Sequence, residues 1–163
     1  MAADTPLRVC IAGASGRMGH MLIEAVLATD DCVLAGALDR PGTPGIGTDA
    51  TAFLGRSSGV MVQSELAAGL QGCDVLIDFT RPEGTLAHLA ACRQLGVQLV
   101  IGTTGLTEAH KAAVAEAATD IAIMLSPNMS VGVNVTLRLL EMAAQSLATG
   151  YDIEIIEAHH RHK

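Results

Sequence analysis

Residues 7–19 read LRVCIAGASGRMG. An aliphatic run ends at a glycine, and Gly13, Gly16 and Gly19 recur at intervals of three. The following RMGHMLIEAVLA places Met18, Met21, Leu22, Ala25 and Val26 at helical spacing. The stretch therefore reads as a strand, a tight turn and a helix with no linker between them. Such a turn uses φ values that glycine adopts freely. It also lets a phosphate approach bare backbone, at a helix N-terminus that offers free N–H groups and about half a positive charge. Close packing of helix on strand would explain the glycines equally well, so the turn alone leaves both readings open.

The next segment adds weight to the first reading. CVLAGALD is a second aliphatic strand, and Asp39 closes it twenty residues past Gly19. An acid at that place binds the adenosine ribose hydroxyls of a dinucleotide. Arg40 follows directly, where a guanidinium faces a 2′-phosphate. The pair suggests that NADH and NADPH are both accepted; a solvated Asp–Arg turn is the plainer alternative.

Strand and helix signals keep alternating. RPGTPGIGTDATAFLGRSSG reads as a loop, rich in Gly, Pro, Ser and Thr. VMVQS and ELAAGL suggest a short strand and a short helix. DVLIDF is a strand, and RPEGTLAHLAACRQLG a helix with Pro82 in its first turn and Gly96 at its end. VQLVIG, TEAHKAAVAEAAT, IAIML and VGVNVTLRLLEMAAQSLA continue as strand, helix, strand, helix. This order predicts a doubly wound, Rossmann-like α/β domain with a parallel sheet. In such sheets ligands sit beyond the carboxyl ends of the strands. Gly102, Thr103 and Thr104 close one strand, and Ser126, Pro127, Asn128 and Met129 close the next. They are candidates for the two sides of a nicotinamide ring. Helix capping by Thr104 and Ser130 is the alternative. Phe79 either packs on the ring or belongs to the core, the latter being the expectation.

Composition agrees. Of 163 residues, 50% are hydrophobic but only 2% aromatic, so Ala, Val, Ile and Leu must build the core. That favours helices on a parallel sheet. The net charge of −7 argues against a nucleic-acid partner. No basic-then-apolar leader and no run of membrane length is seen, so a cytoplasmic protein without membrane contact is expected. Cys10, Cys32, Cys73 and Cys92 form no C-x-x-C pair and are expected as buried thiols.

The chain closes on YDIEIIEAHHRHK. Ile153 and Ile155 alternate with acids, as in a strand with one wet face. It reads as the first strand of a second, truncated α+β domain, giving a dinucleotide-binding domain over 1–129 and the start of a substrate domain over 130–163. Arg161 interrupts the histidines, which argues against a tag. His160 and His162 share strand parity while His159 does not, so they converge poorly on a metal, and no metal is expected. His159 and Lys163 share parity and suit a proton-transfer pair, with a solvated tail as the alternative.

VCIAGASGRMG, DVLIDFTRPEGTLAHL, VIGTTG, NMSVGVNV and DIEIIEAHHRHK together resemble the N-terminal part of the 4-hydroxy-tetrahydrodipicolinate (dihydrodipicolinate) reductase family of bacterial lysine and diaminopimelate synthesis. The EAHHRHK run is the specific signal; the glycine turn is shared by many dehydrogenases. The resemblance implies reduction of a cyclic dicarboxylate by NADH or NADPH. Gly13 to Met18, Asp39, Arg40, Gly102 to Thr104 and Ser126 to Met129 would contact the cofactor. His159 would be the acid–base residue, Lys163 the proton donor and His160 a substrate contact. It also implies a homotetramer, and a Ser-Gly-Thr loop beyond Lys163 that holds the substrate, so these 163 residues alone are expected to be inactive. A non-catalytic NAD(P)-binding module and a related amino-acid dehydrogenase are the other readings.

Overall fold

Six strands lie parallel in one sheet, in the order β3-β2-β1-β4-β5-β6. The structure, a computed structural model, describes residues 5–156 and Ala158. The strands are β1 (Leu7–Ala12), β2 (Cys32–Leu38), β3 (Val62–Gln63), β4 (Val75–Asp78), β5 (Gln98–Ile101) and β6 (Ile123–Leu125). The helices are α1 (Arg17–Leu27), α2 (Leu66–Leu70), α3 (Pro82–Leu95), α4 (Glu108–Ala117) and α5 (Val131–Ser146). The doubly wound reading therefore holds. The order reverses between β1 and β4, which is where this architecture opens its ligand crevice.

Side chains alternate across a strand, and β1 shows why this run must be central. Val9 and Ile11 join Ile23 and Val26 of α1 on one face. Cys10 and Ala12 join Leu89 and Cys92 of α3 and Val114 of α4 on the other. These four of the six β1 residues are buried, so the strand reads as unbroken apolar sequence from Val9 on. α3 starts with Pro82 in its first turn and stops at Gly96, whose φ of 71° is left-handed. Thr107, not Thr104, caps α4: its hydroxyl accepts from the His110 N–H, and His110 Nδ1 accepts from the Thr107 N–H.

Three expectations need correction. The long loop after β2 contains a short 3-10 turn, Ala52–Leu54, and is held by Asp49, whose carboxylate accepts from Thr51, Ser57, Ser58 and Gly59. Cys10, Cys73 and Cys92 are buried thiols, but Cys32 is only half-buried. Burial pushes the Cys92 thiol up to about 12. Residues 151–156 carry no regular structure, and Ile153, Ile155 and Ile156 are all exposed. A strand needs a ladder partner, and among the described residues none pairs with this run.

The chain divides into two compact units, Met1–Pro127 and Asn128–Lys163. In the second, Ser130 caps α5 by accepting from the Val133 N–H, and Arg138 pairs with Glu141 one turn on. No residue of α5 is buried, although Val131, Leu137, Leu139, Leu140 and Met142 are large and apolar. No described helix is long and apolar enough to cross a membrane.

Candidate functional site

The site is built from the loops that leave β1, β2, β4 and β5. Gly13 leaves β1 with φ 68°, in the left-handed region where a side chain is strained. A Cβ there would sit 3.2 Å from Thr80 Cγ2, so the turn lies against the loop after β4. A Cβ on Gly19 would overlap the carbonyl of Gly13 and the backbone of Ala14, so α1 seats directly on the turn. Gly16 is the N-cap of α1 and brings no side-chain oxygen to its first N–H groups. Arg17 and Met18, in the first turn, are exposed.

Asp39 braces this turn from the neighbouring strand. One carboxylate oxygen accepts the Ser15 N–H at 2.9 Å. The other accepts the Arg40 N–H at 2.8 Å and the Thr43 hydroxyl at 3.3 Å. A carboxylate offers about four acceptor positions, so one is left for an outside donor such as a ribose hydroxyl. The side chain of Arg40 forms no ion pair with a described residue, and the residue is exposed. The buried Ser15 Oγ has no hydrogen-bond partner among the described residues. Uncapped helix, bare turn, orphaned hydroxyl and spare acceptor together fit a dinucleotide.

On the other side of β1 the loops after β4 and β5 are locked together. Asp78 ends β4 with no exposed surface. Its Oδ1 accepts the Thr80 N–H at 2.9 Å and the Thr80 hydroxyl at 2.6 Å. Its Oδ2 lies 2.9 Å from Nδ1 of His88, on the second turn of α3. Burial pushes the Asp78 carboxyl up, but His88, Thr80 and Thr85 outweigh it and hold the group below its ordinary value. An ionised carboxylate only accepts, so His88 Nδ1 is the donor. Thr103 Oγ1 accepts the Thr80 N–H at 3.1 Å and the Thr85 hydroxyl at 2.8 Å. The Gly102 N–H donates to the Asp78 carbonyl at 2.8 Å. Phe79 is half-buried rather than core, and its ring lies where a Cβ on Gly102 would be.

Thr103 is thus 3% exposed, with its hydroxyl already engaged, while Thr104 is exposed. The Ser126 N–H donates to the Ile101 carbonyl, and Pro127 is exposed. In the second unit the side-chain oxygen of Asn128 accepts the Ser130 N–H at 2.8 Å, its carbonyl accepts from Asn134, and Met129 is exposed. His159, His160 and Lys163 lie outside the described residues. Sequence reasoning missed Asp78 and its partners. The available signals were an acid closing the aliphatic run VLID, and Thr85 and His88 one helical turn apart.

Comparison with known proteins places this geometry. The family model described as dihydrodipicolinate reductase, N-terminus, matches residues 7–129, and the one described as the C-terminus of the same protein matches residues 132–163. The chain belongs to the dihydrodipicolinate reductase family. A 4-hydroxy-tetrahydrodipicolinate reductase of Herminiimonas arsenicoxydans is 64% identical over 96% of this chain and 59% of its own length. The protein of that name from Cupriavidus taiwanensis gives the same figures. The chain thus spans about 59% of the length of these relatives. Among solved structures, the dipicolinate-bound dihydrodipicolinate reductase of Paenisporosarcina sp. TG-14 is 25% identical with a TM-score of 0.69, over 86% of this chain and 54% of that one. The glycine turn, Asp39 and the Asp78 network all fall in the segment matched as this family's N-terminal part.

Proposed function

We propose that this chain is the NAD(P)H-binding part of a 4-hydroxy-tetrahydrodipicolinate reductase. Residues 1–129 are the dinucleotide-binding domain, and 130–163 begin a substrate domain that also builds a homotetramer in the complete protein. The observation that carries the reading is the uncapped start of α1, set at the sheet's switch point and braced through Ser15 by Asp39. The names of the relatives support the substrate: a cyclic, unsaturated imine dicarboxylate, reduced to tetrahydrodipicolinate with loss of water.

The bound dihydronicotinamide supplies a hydride. The chain's own residues do the rest. Gly13 to Met18 bind the pyrophosphate with backbone N–H groups. Asp39 takes a ribose hydroxyl on its remaining lone pair, and Arg40 meets a 2′-phosphate when one is present. Phe79, Gly102 and Thr104 line the ring's place, together with Thr103 through its backbone and Ser126 and Pro127. Hydride addition leaves an electron-rich enamine carbon in the substrate, and Lys163 donates the proton it needs. His159 sets the protonation of Lys163, and His160 binds a carboxylate.

Calorimetric titration tests the reading. NADH and NADPH should both bind, with a preference below about a hundredfold, roughly 2.7 kcal/mol. A polypeptide of these 163 residues should show no turnover, since positioning accounts for roughly 7–11 kcal/mol of a barrier. Binding of neither cofactor would reject the proposal.

A further inference from the structure

We infer that the buried network of Asp78, Thr80, Thr85, His88 and Thr103 is a positioning device for the nicotinamide half of the cofactor. The inference rests on the NAD(P)H-binding reading above. Asp78 is wholly buried at the end of a strand whose other residues are aliphatic. A buried carboxylate is unfavourable unless it is paired and hydrogen-bonded, and an aliphatic residue would close the strand with no such penalty.

The network's geometry shows what the carboxylate does there. Asp78 and Thr80 flank Phe79, and both are fixed: Asp78 by His88, and Thr80 by bonds from its N–H and its hydroxyl to Asp78. The Thr80 N–H is shared with Thr103 Oγ1, which carries the tie to the loop after β5. Thr85 of α3 donates to the same Thr103 oxygen. Gly102 is bonded to the Asp78 carbonyl and leaves the space that the Phe79 ring fills. The ring of Phe79 and the backbone of Gly102 and Thr103 are therefore set as one piece.

Place decides which half of the cofactor this piece serves. Asp39 and Ser15 mark the adenosine side, at β2 and β1. Asp78 and Thr103 lie at β4 and just past β5, on the far side of β1. A dinucleotide that straddles the switch point lays its second half there. Thr103, with its hydroxyl turned into the network, acts through the loop it fixes and not by touching the ligand.

Comparing NADH with ADP-ribose, which lacks only the nicotinamide, tests this by calorimetry on the full chain. Wild type should bind NADH more tightly. Thr103→Val keeps the volume but removes the acceptor; NADH affinity should fall about tenfold while ADP-ribose stays within about twofold. Thr103→Ser restores the oxygen and should restore NADH binding. Asp78→Asn, which keeps the shape, should move the same ratio in the same direction. A purely structural role would shift the melting temperature and weaken both ligands equally, and that result would overturn the inference. So would unchanged NADH binding in Thr103→Val, failure of Thr103→Ser to rescue, or a wild type that binds ADP-ribose as tightly as NADH. A wild type that binds neither ligand would overturn the NAD(P)H reading itself, and the inference with it.

Discussion

Two aspartates close strands on either side of β1, and they are used in different ways. Asp39, after β2, is half-exposed and makes three bonds to its own and the neighbouring loop. Asp78, at the end of β4, is sealed from water and serves as the anchor of a five-residue network. Asp39 keeps a lone pair and an accessible edge, as a residue must if it is to meet a ligand. Asp78 has no accessible edge, so its influence on a ligand can only pass through Thr80, Phe79 and Thr103. A carboxylate at the mouth of a doubly wound sheet is thus no proof of contact; burial separates the two roles.

Removing the anchor should have the largest effect. Asp78→Ala leaves the His88 Nδ1–H and the Thr80 hydroxyl without their acceptor, with only Thr103 Oγ1 left for the Thr80 N–H, and should cost about 3 kcal/mol or more in urea unfolding. Asp39→Ala, half-exposed, should cost closer to 1 kcal/mol. Equal losses would erase the distinction between the two aspartates.

The pH dependence sharpens the contrast. The Asp78 carboxyl lies below its unfolded value, so it contributes stability above about pH 4 that is lost as pH falls through the folded value. Urea midpoints between about pH 3 and 7 should therefore drop toward acid in the wild type, and the drop should be shallower in Asp78→Asn. An unchanged slope in that variant would mean that other carboxylates carry the acid sensitivity.

What both sides share is the turn after β1. Gly19→Ala drives a methyl group into the backbone of Gly13 and Ala14 and should cost about 1–3 kcal/mol. It should weaken NADH and ADP-ribose together, unlike Thr103→Val. The smallest change is at the rim. Arg40→Ala should weaken NADPH about tenfold and leave NADH within about twofold. Equal loss for both cofactors would contradict a 2′-phosphate contact.

The β1 turn and the order of elements were legible because each is a local signal. Glycine spacing, aliphatic runs, Pro82 and Gly96 speak for themselves in the sequence. Asp39 was legible by its distance from the turn. Asp78 was not, because an acid after VLI looks like the solvated end of a strand until the fold brings His88 and Thr103 to it. Thr104 and Thr107 look alike as caps, and only the start of α4 distinguishes them. The run from Tyr151 to Ile156 has strand periodicity, but periodicity supplies no partner, and no described residue pairs with it. α5 shows the same limit: its cap and length were legible, whereas what covers its apolar side chains is not a local property.

The central claim is that a cofactor straddles β1, with adenosine on the Asp39 side and nicotinamide on the Asp78 side. Amide chemical shifts followed by NMR during separate titrations with NADH and ADP-ribose test it most directly. Ser15, Gly16 and Arg40 should shift with both ligands. Phe79, Thr80, Gly102 and Thr103 should shift with NADH and stay nearly still with ADP-ribose. If ADP-ribose moved the Phe79 and Gly102 amides as far as NADH does, the two halves would not be divided at β1, and the account would be wrong.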